Sequence, residues 1–475
     1  MGCKARGAAN SSAYSQATQR RRPPEKPHPM RVAAKSGARF VALLGIVVQA
    51  TTFVALRAII PISLATRSAW GSCRGSLTAT SLIALILLTS CAAPPPPERP
   101  PAPSSELTFD AGVDYAIDDL LVQARRLPAF SAAPGLLKKE SDVPRGVIAV
   151  DPAIDGNTGQ QTIASRALDS RLLQRASDKF AQFDVAAVNS STLGKAQYLL
   201  AATLTPIDAA KTTGTFRISL SLTDIKTGFV VAQSAARIRS EGVDTTPTPF
   251  YRDSPSLTKD RVVEGQIRTA QTPTGGAADE IYMSRLPINA LISEASNRYE
   301  AGNYAEALRY YESAAARPEG QQLRVLNGLY LANTQLGRTD EAEKAFAKIV
   351  ALGLATNSLS VKFLFRPGSL DFLADPKVSG PYNVWLRLVA REVAASKACL
   401  TIAGHTSRTG TEQFNDRLSL QRAVTIQRRI EVLAPETAGR LVSVGMGFRE
   451  NLVGSGTDDL RDALDRRVEF KVRNC

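Results

Sequence analysis

Apolar and polar residues alternate at Phe216, Ile218, Leu220 and Leu222, the period of a half-buried β-strand. The turn Lys226-Thr227-Gly228 and the run from Phe229 to Ala232 follow, so this stretch predicts a hairpin. Val147-Ile148-Ala149-Val150 is continuously apolar and predicts a buried strand. Asp184–Val188 and Tyr198–Leu204 predict two more. Helical spacing marks Val113–Ala124, and again Ile163, Ala164, Ala167, Leu168 and Leu172 on one face. Residues 106–240 therefore predict a compact α/β domain. Asp155-Gly156-Asn157-Thr158-Gly159 lacks the ending of a phosphate loop and reads as a plain loop before a helix. Residues 241–282, with many Thr, Pro and Gly, read as a linker.

The element order over 106–240 loosely resembles the periplasmic domain of CsgG- and FlgO-like lipoproteins. Residues 283–352 repeat themselves. Gly302, Ala307 and Tyr311 recur as Gly337, Ala342 and Phe346, each 35 positions on. The segments YEAGNYAEALRYYESAAARP and LANTQLGRTDEAEKAFAKIV resemble two tetratricopeptide repeats. Two repeats are marginal alone, since about three are usually needed, so a neighbouring domain is expected to support them. The resemblance implies either a groove for a partner peptide or a helical spacer.

Residues 359–475 predict strands at Val361–Phe365 and Leu400–Gly404, a helix at Pro381–Ala395, a third strand at Val442–Gly447 and a last one opened by Asp465-Arg466-Arg467-Val468-Glu469. Between them stand Gly404-His405-Thr406 and Asn415-x-x-Leu418-Ser419-x-x-Arg422-Ala423. These pieces, in this order, resemble the OmpA-like domain found at the C-termini of OmpA, Pal and MotB. The resemblance implies an α/β sandwich that binds the peptidoglycan stem peptide. It assigns the site to Thr406, Ser407, Asn415, Leu418, Arg422 and Arg467. The diaminopimelate of that peptide carries an ammonium and a carboxylate, so its binder needs a cation and an anion. Arg422 is assigned the cation, because a guanidinium can grip a carboxylate with two hydrogen bonds. The family's anion is an Asp directly after His-Thr, and this chain has Ser407 there. Three outcomes follow from that departure: weak binding, a replacement charge from Asp416 or Asp371, or a domain that binds something else or only scaffolds. Asn415 and Ser419 are expected to hold the loop and helix start, Leu418 and Ala423 the core, and Arg467 the loop beside the site. His405 is expected to order the strand–loop corner. Cys399 precedes the second strand and Cys475 follows the last, and the two are candidates for a disulfide.

Near the N-terminus, residues 1–39 are polar and basic, and an apolar stretch follows at 40–65. A second apolar stretch, Ser81–Cys91, has about 10 apolar residues, too short to span a bilayer and suited to a signal-peptide core. Leu88-Thr89-Ser90-Cys91 resembles the bacterial lipobox, which implies that the Cys91 thiol is acylated. The Pro-rich run after it cannot continue a helix. As an extended spacer, 92–105 would reach roughly 40 Å at about 3.1 Å per residue. Ala92 in place of Asp implies outer-membrane rather than inner-membrane placement. The long leader implies a translation start inside it, with a membrane helix at 40–65 as the other reading.

The net charge of +14 would ordinarily point to nucleic acid. However, residues 1–90 hold 12 of the 58 basic residues and one of the 44 acidic ones. The rest of the chain is nearly balanced, so no nucleic-acid partner is expected. His28 and His405 are the two histidines, and no Cys-x-x-Cys pair exists among Cys3, Cys73, Cys91, Cys399 and Cys475. That excludes multi-His metal sites, zinc ribbons and thioredoxin chemistry. No cofactor, metal or catalytic residue is assigned, and no enzymatic activity is expected.

The chain thus reads as a multidomain α/β and α protein. A basic leader and lipoprotein signal peptide span 1–90, and a lipidated Cys91 and spacer span 91–105. An α/β domain covers 106–240, a linker 241–282, two short helical repeats 283–352, and an OmpA-like sandwich 359–475. The function it implies is an outer-membrane lipoprotein, periplasm-facing, that tethers membrane to peptidoglycan. Its middle domains would recruit a periplasmic protein partner. The alternative is an accessory component of a trans-envelope secretion or surface-polymer assembly machine.

Overall fold

The computed structural model describes residues 99–127, 145–207, 214–454, 456–459 and 461–475, all within one compact unit, Thr89–Cys475. The leader, the apolar run 40–65 and the lipid-anchor candidate Cys91 lie outside the described residues. Among the described residues, no helix is long and apolar enough to cross a membrane.

The first layer is α1 (Phe109–Ala124). The sheet then begins with β1 (Gly146–Val150) and the short β2 (Ile154–Asp155). In between β2 and the helix that follows, the Asp155 carboxylate accepts from Asn157 N, Thr158 N and Thr158 Oγ1. That closes a plain turn. The helix α2 (Ile163–Lys179) opens with Thr162 and Ser165 capping each other. Its buried face is Ala164, Ser165, Leu168, Leu172 and Ala176. Ile163 and Ala167, expected on that face, are exposed. The cap sets the helix phase one position on from the apolar reading.

After α2 come β3 (Phe183–Ala187), α3 (Ser190–Leu193) and β4 (Tyr198–Pro206), then β5 (Thr215–Asp224) and β6 (Val230–Arg239). The strand order is β3-β1-β4-β5-β6, with β2 on β4. β1 lies parallel to β3 and β4, and β4, β5 and β6 form an antiparallel ribbon. Ile148, Leu200 and Ala202 share a core with α1 and α2. Ala149, Leu199 and Ala201 share another with Val262, Ala270 and Tyr282. Both faces of β4 are therefore covered.

That second cover corrects the linker expected at 241–282. The segment folds into α4 (Pro249–Asp253), α5 (Arg261–Gln271) and α6 (Glu280–Ser284). Asp260 caps α5 by accepting from Val262 N and Val263 N. The physical reason lies in β4: a strand apolar at consecutive positions buries both faces and needs a layer on each. At the edge of this layer, Tyr282 Oη donates to the buried Asp151 carboxylate at 2.6 Å, just beyond β1.

Two helical hairpins follow: α7 (Leu286–Glu300) with α8 (Tyr304–Ala315), and α9 (Leu323–Gln335) with α10 (Thr339–Thr356). The 35-residue period has a structural meaning. Gly302 and Gly337 turn each hairpin at φ 78° and 69°, where a side chain would be strained. Tyr311 and Phe346 are both fully buried. The last hairpin leans on the C-terminal domain. Phe346 stacks on Trp385 with ring centres 5.3 Å apart, and Trp385 Nε1 donates to Tyr330 Oη at 3.0 Å. One core runs continuously from Phe250 to Phe470.

The C-terminal part contains α11 (Pro376–Ser379), α12 (Tyr382–Ser396), β7 (Cys399–Gly404), α13 (Glu412–Leu433), β8 (Leu441–Gly445) and β9 (Val468–Arg473). Its sheet has the order β8-β7-β9, with β7 parallel to β8 and antiparallel to β9. The strand expected at Val361–Phe365 is not formed. Its backbone bonds are divided: Lys362 N donates to Pro255 O, Phe365 N to Arg466 O, and Val361 bridges Ser256. Two partners on different sides break the ladder into single bridges.

Lys362 makes a joint of this segment. Its ammonium is buried and donates to Tyr251 O at 2.8 Å and Arg252 O at 3.1 Å, at the end of α4. Burial lowers its pKa to about 7. Between about pH 7 and the unfolded value near 10.4, the unfolded chain binds the extra proton, so this group's contribution to stability rises with pH. The stability of the native protein relative to Lys362→Met is expected to increase from pH 7 to pH 10. Denaturant melts at both pH values check this; parallel curves would contradict it.

Candidate functional site

The site is built where β7 ends. Gly404 passes so close to α13 that a Cβ there would lie 1.9 Å from Ser419 O. Glycine at this point lets the strand deliver His405, Thr406 and Ser407 beneath the helix. The corner is bonded on both sides: His405 N donates to Arg467 O and Thr406 N to Gly447 O, each at 2.9 Å.

On α13, Thr411 caps the N-terminus by accepting from Phe414 N. The buried positions Asn415, Leu418, Ser419, Arg422, Ala423, Ile426 and Ile430 form one helical stripe. Asn415 Nδ2 donates to Thr409 O and Thr411 O, fixing the loop before the helix. Ser419 Oγ accepts from Gly447 N at 3.0 Å. Leu418 packs in the buried stripe.

Arg422 has a different role from the one expected. It is fully buried, and its guanidinium donates to Ser369 O, Arg366 O and His405 O at 2.9–3.1 Å. Its centre also lies 5.0 Å from the Phe365 ring. Burial, then the neighbouring Arg466, lowers its pKa. With four hydrogen bonds to carbonyls, Arg422 pins the loop 366–369 to the β7 corner and does not reach out to grip a carboxylate.

Arg467 is likewise buried. Its Nε donates to Glu469 at 2.8 Å, and its Nη groups reach Leu464 O and Glu450 O. It pins the loop after β8. Thr406 is buried, and its Oγ1 has no hydrogen-bond partner. His405 is also fully buried, and burial lowers its pKa to about 2, keeping the ring neutral.

A carboxylate stands beside Ser407 from a part of the chain that no motif marks. Asp458 lies next to Ser407. Its carboxylate accepts from Ser407 Oγ at 2.6 Å and from Thr409 Oγ1 at 3.1 Å. The buried Arg466 donates to it at 2.8 Å. The Asp458 side chain is 24% exposed, so it meets solvent while Ser407 and Arg466 are buried. The two acids considered as a replacement charge are engaged elsewhere. Asp416 pairs with Arg449 at 2.7 Å, and Asp371 accepts from Ser369 Oγ. No local pattern announces Asp458. It is 51 residues from Ser407, in a loop whose shape is set by Asp465 accepting from three successive N–H groups, Leu452, Val453 and Gly454.

The corner thus holds the partly exposed Asp458 carboxylate, the buried Asp462 carboxylate that accepts from Asp458 N at 2.9 Å, and two buried guanidiniums, Arg422 and Arg466. Its exposed carboxylate can offer an ion pair to an ammonium. At the far end of the sheet, Cys399 and Cys475 are joined in a disulfide with Cα atoms 5.3 Å apart.

No family model matches this sequence, and no curated protein matches it. Solved structures similar to part of it include two cell-envelope proteins. One is the peptidoglycan-associated lipoprotein from Burkholderia pseudomallei, at 20% identity, covering 24% of this chain and 89% of that one, with a TM-score of 0.21. The other is the cell wall anchor of the T6SS from Pseudomonas aeruginosa, at 19% identity, covering 27% and 95%, also with a TM-score of 0.21.

Proposed function

We propose that this chain is a non-enzymatic envelope tether whose C-terminal domain associates with the peptidoglycan stem peptide. The observation that carries the reading is the Asp458 carboxylate seated on Ser407 and Thr409. It puts an anion beside the residue that stands where the OmpA-like pattern has its Asp. In this reading the diaminopimelate ammonium pairs with Asp458. The lipobox Leu88-Thr89-Ser90-Cys91 supports attachment of the other end to the outer membrane through acylated Cys91. Two weak attachments on one chain reinforce each other through effective concentration.

Recruitment of a periplasmic protein partner belongs to the same proposal. A groove of about 730 Å³ lies at the hairpin turns, lined by Tyr304, Glu306, Arg309, Glu312 and Arg338 among others. Its mixed charges suit a polar peptide. The alternative, an accessory role in a trans-envelope assembly machine, would use the same groove.

Asp458→Asn tests the wall-binding claim. Asparagine keeps one acceptor oxygen for Ser407 and Arg466 and turns an amide donor to Thr409 Oγ1, but it removes the charge. Loss of a charged partner costs roughly 1–3 kcal/mol, or about 5- to 150-fold in affinity. Retention on purified sacculi is expected to fall by that factor, read below the melting transition of the variant, because Arg466 also loses its counter-charge and the melt shifts down. Equal retention of the two proteins would overturn the site.

A further inference from the structure

A second cluster lies behind this corner and is used by nothing described above. His405 is fully buried at the end of β7, yet neither ring nitrogen has a hydrogen-bond partner. Its Nε2 faces Glu469 Oε2 of β9 at 3.7 Å. Glu450, in the loop after β8, completes the group, and one ligand atom from each of the three lies within 4.8 Å of the others.

The carboxylates are arranged unevenly. Glu469 has one oxygen held by Arg467 at 2.8 Å, and Glu450 has one held by Lys471 at 3.3 Å. Each has a second oxygen to offer. Cations on the outer oxygens would orient both carboxylates as one-oxygen ligands, in the manner of outer-shell partners at metal sites. They also oppose a further positive charge, which sets a modest affinity. Ligands of a tetrahedral zinc, each at 2.0–2.2 Å, lie roughly 3.3–3.6 Å apart. The histidine–Glu469 pair is already near that spacing. Glu450, whose side chain is 41% exposed, can close the rest by rotation and gives a path from solvent.

We infer that His405, Glu450 and Glu469 form a binding site for a divalent transition-metal ion such as Zn²⁺, with water completing the shell. One nitrogen and two oxygens suit zinc better than the all-oxygen cages that Mg²⁺ and Ca²⁺ favour. A bound ion would join the end of β7, the start of β9 and the loop after β8. Those three segments frame the Asp458 corner. The inference is independent of the wall-binding reading, because no sacculus or peptide enters it.

The test is calorimetric titration of the full chain with Zn²⁺ alone, its thiols first alkylated so that cysteine does not compete. The expected result is one saturable site. Glu450→Gln, at an exposed position where folding is not at risk, should weaken it by at least about tenfold. His405→Asn should abolish it. Mg²⁺ should give no comparable heat. Absence of saturable Zn²⁺ binding up to roughly millimolar concentration, or binding unchanged in Glu450→Gln, would overturn the site.

Discussion

Replacing Arg422 with Ala is expected to unfold the C-terminal domain at a clearly lower temperature, rather than simply remove a ligand contact. The substitution strips the donors from Ser369 O, Arg366 O and His405 O and leaves a void against Phe365. The buried His405 O left without this donor costs about 1–3 kcal/mol, and truncating so large a buried side chain adds about 2–5 kcal/mol, so the loss is at least about 3 kcal/mol. For a unit of this size that is a drop of roughly 5 °C or more. Arg422→Lys keeps the charge but has one nitrogen where the guanidinium has three, and it cannot span the same carbonyls. It should fall between the two. Calorimetry on all three proteins checks the order. If Arg422→Ala melts with the native protein and loses only sacculus binding, Arg422 is a ligand residue and the assignment made here is wrong.

The second large effect concerns the Cys399–Cys475 disulfide. It closes a loop with a sequence separation of 76. On the chain-entropy account, cross-linking a loop of that length lowers the entropy of the unfolded state by an amount worth about 4 kcal/mol. Cys399 pairs within the central strand, two positions in register from the chain's last residues, so the bond also ties the end of β9 to the sheet. Cys399→Ala with Cys475→Ala is expected to destabilise the domain by roughly 2–4 kcal/mol and to remove the effect of reductant on the melting temperature. Peptide mapping of unreduced protein should show the two cysteines in one linked peptide. Separate, alkylatable peptides for both would contradict the pairing.

Much of the architecture was legible because it rests on period. Alternation at Phe216–Leu222 gave β5 and its hairpin partner. The 35-residue spacing of Gly302 and Gly337 marked both hairpin turns, where positive φ calls for glycine. The stripe from Asn415 to Ala423 placed α13 and its buried face. What stayed hidden depends on tertiary partners. α5 looked like linker because Thr, Pro and Gly surround it, while the need for it lay in β4, which is buried on both faces. Val361–Phe365 has the residues of a strand, but Pro255, Ser256 and Arg466 compete for its backbone groups.

The site divides the same way. Thr406, Ser407, Asn415 and Leu418 were assigned through the OmpA-like resemblance; Asn415 does hold the loop that follows Ser407, and Leu418 lies in the buried stripe of α13. Arg422 was expected to grip a carboxylate, and its guanidinium donates to three backbone carbonyls instead. A sequence cannot say whether a guanidinium faces a ligand or three carbonyls. Asp458 carried no signal, since nothing local distinguishes it from its neighbour Asp459. The histidine count excluded sites with several imidazoles and was silent on one imidazole joined by two distant carboxylates.

The most direct measurement is a titration of the protein with a soluble stem peptide containing diaminopimelate, beside the same peptide acetylated on its side-chain amine. If the Asp458 carboxylate receives that ammonium, the free-amine peptide binds and acetylation removes most of the affinity. Equal binding of the two peptides, or binding of neither, would contradict the account.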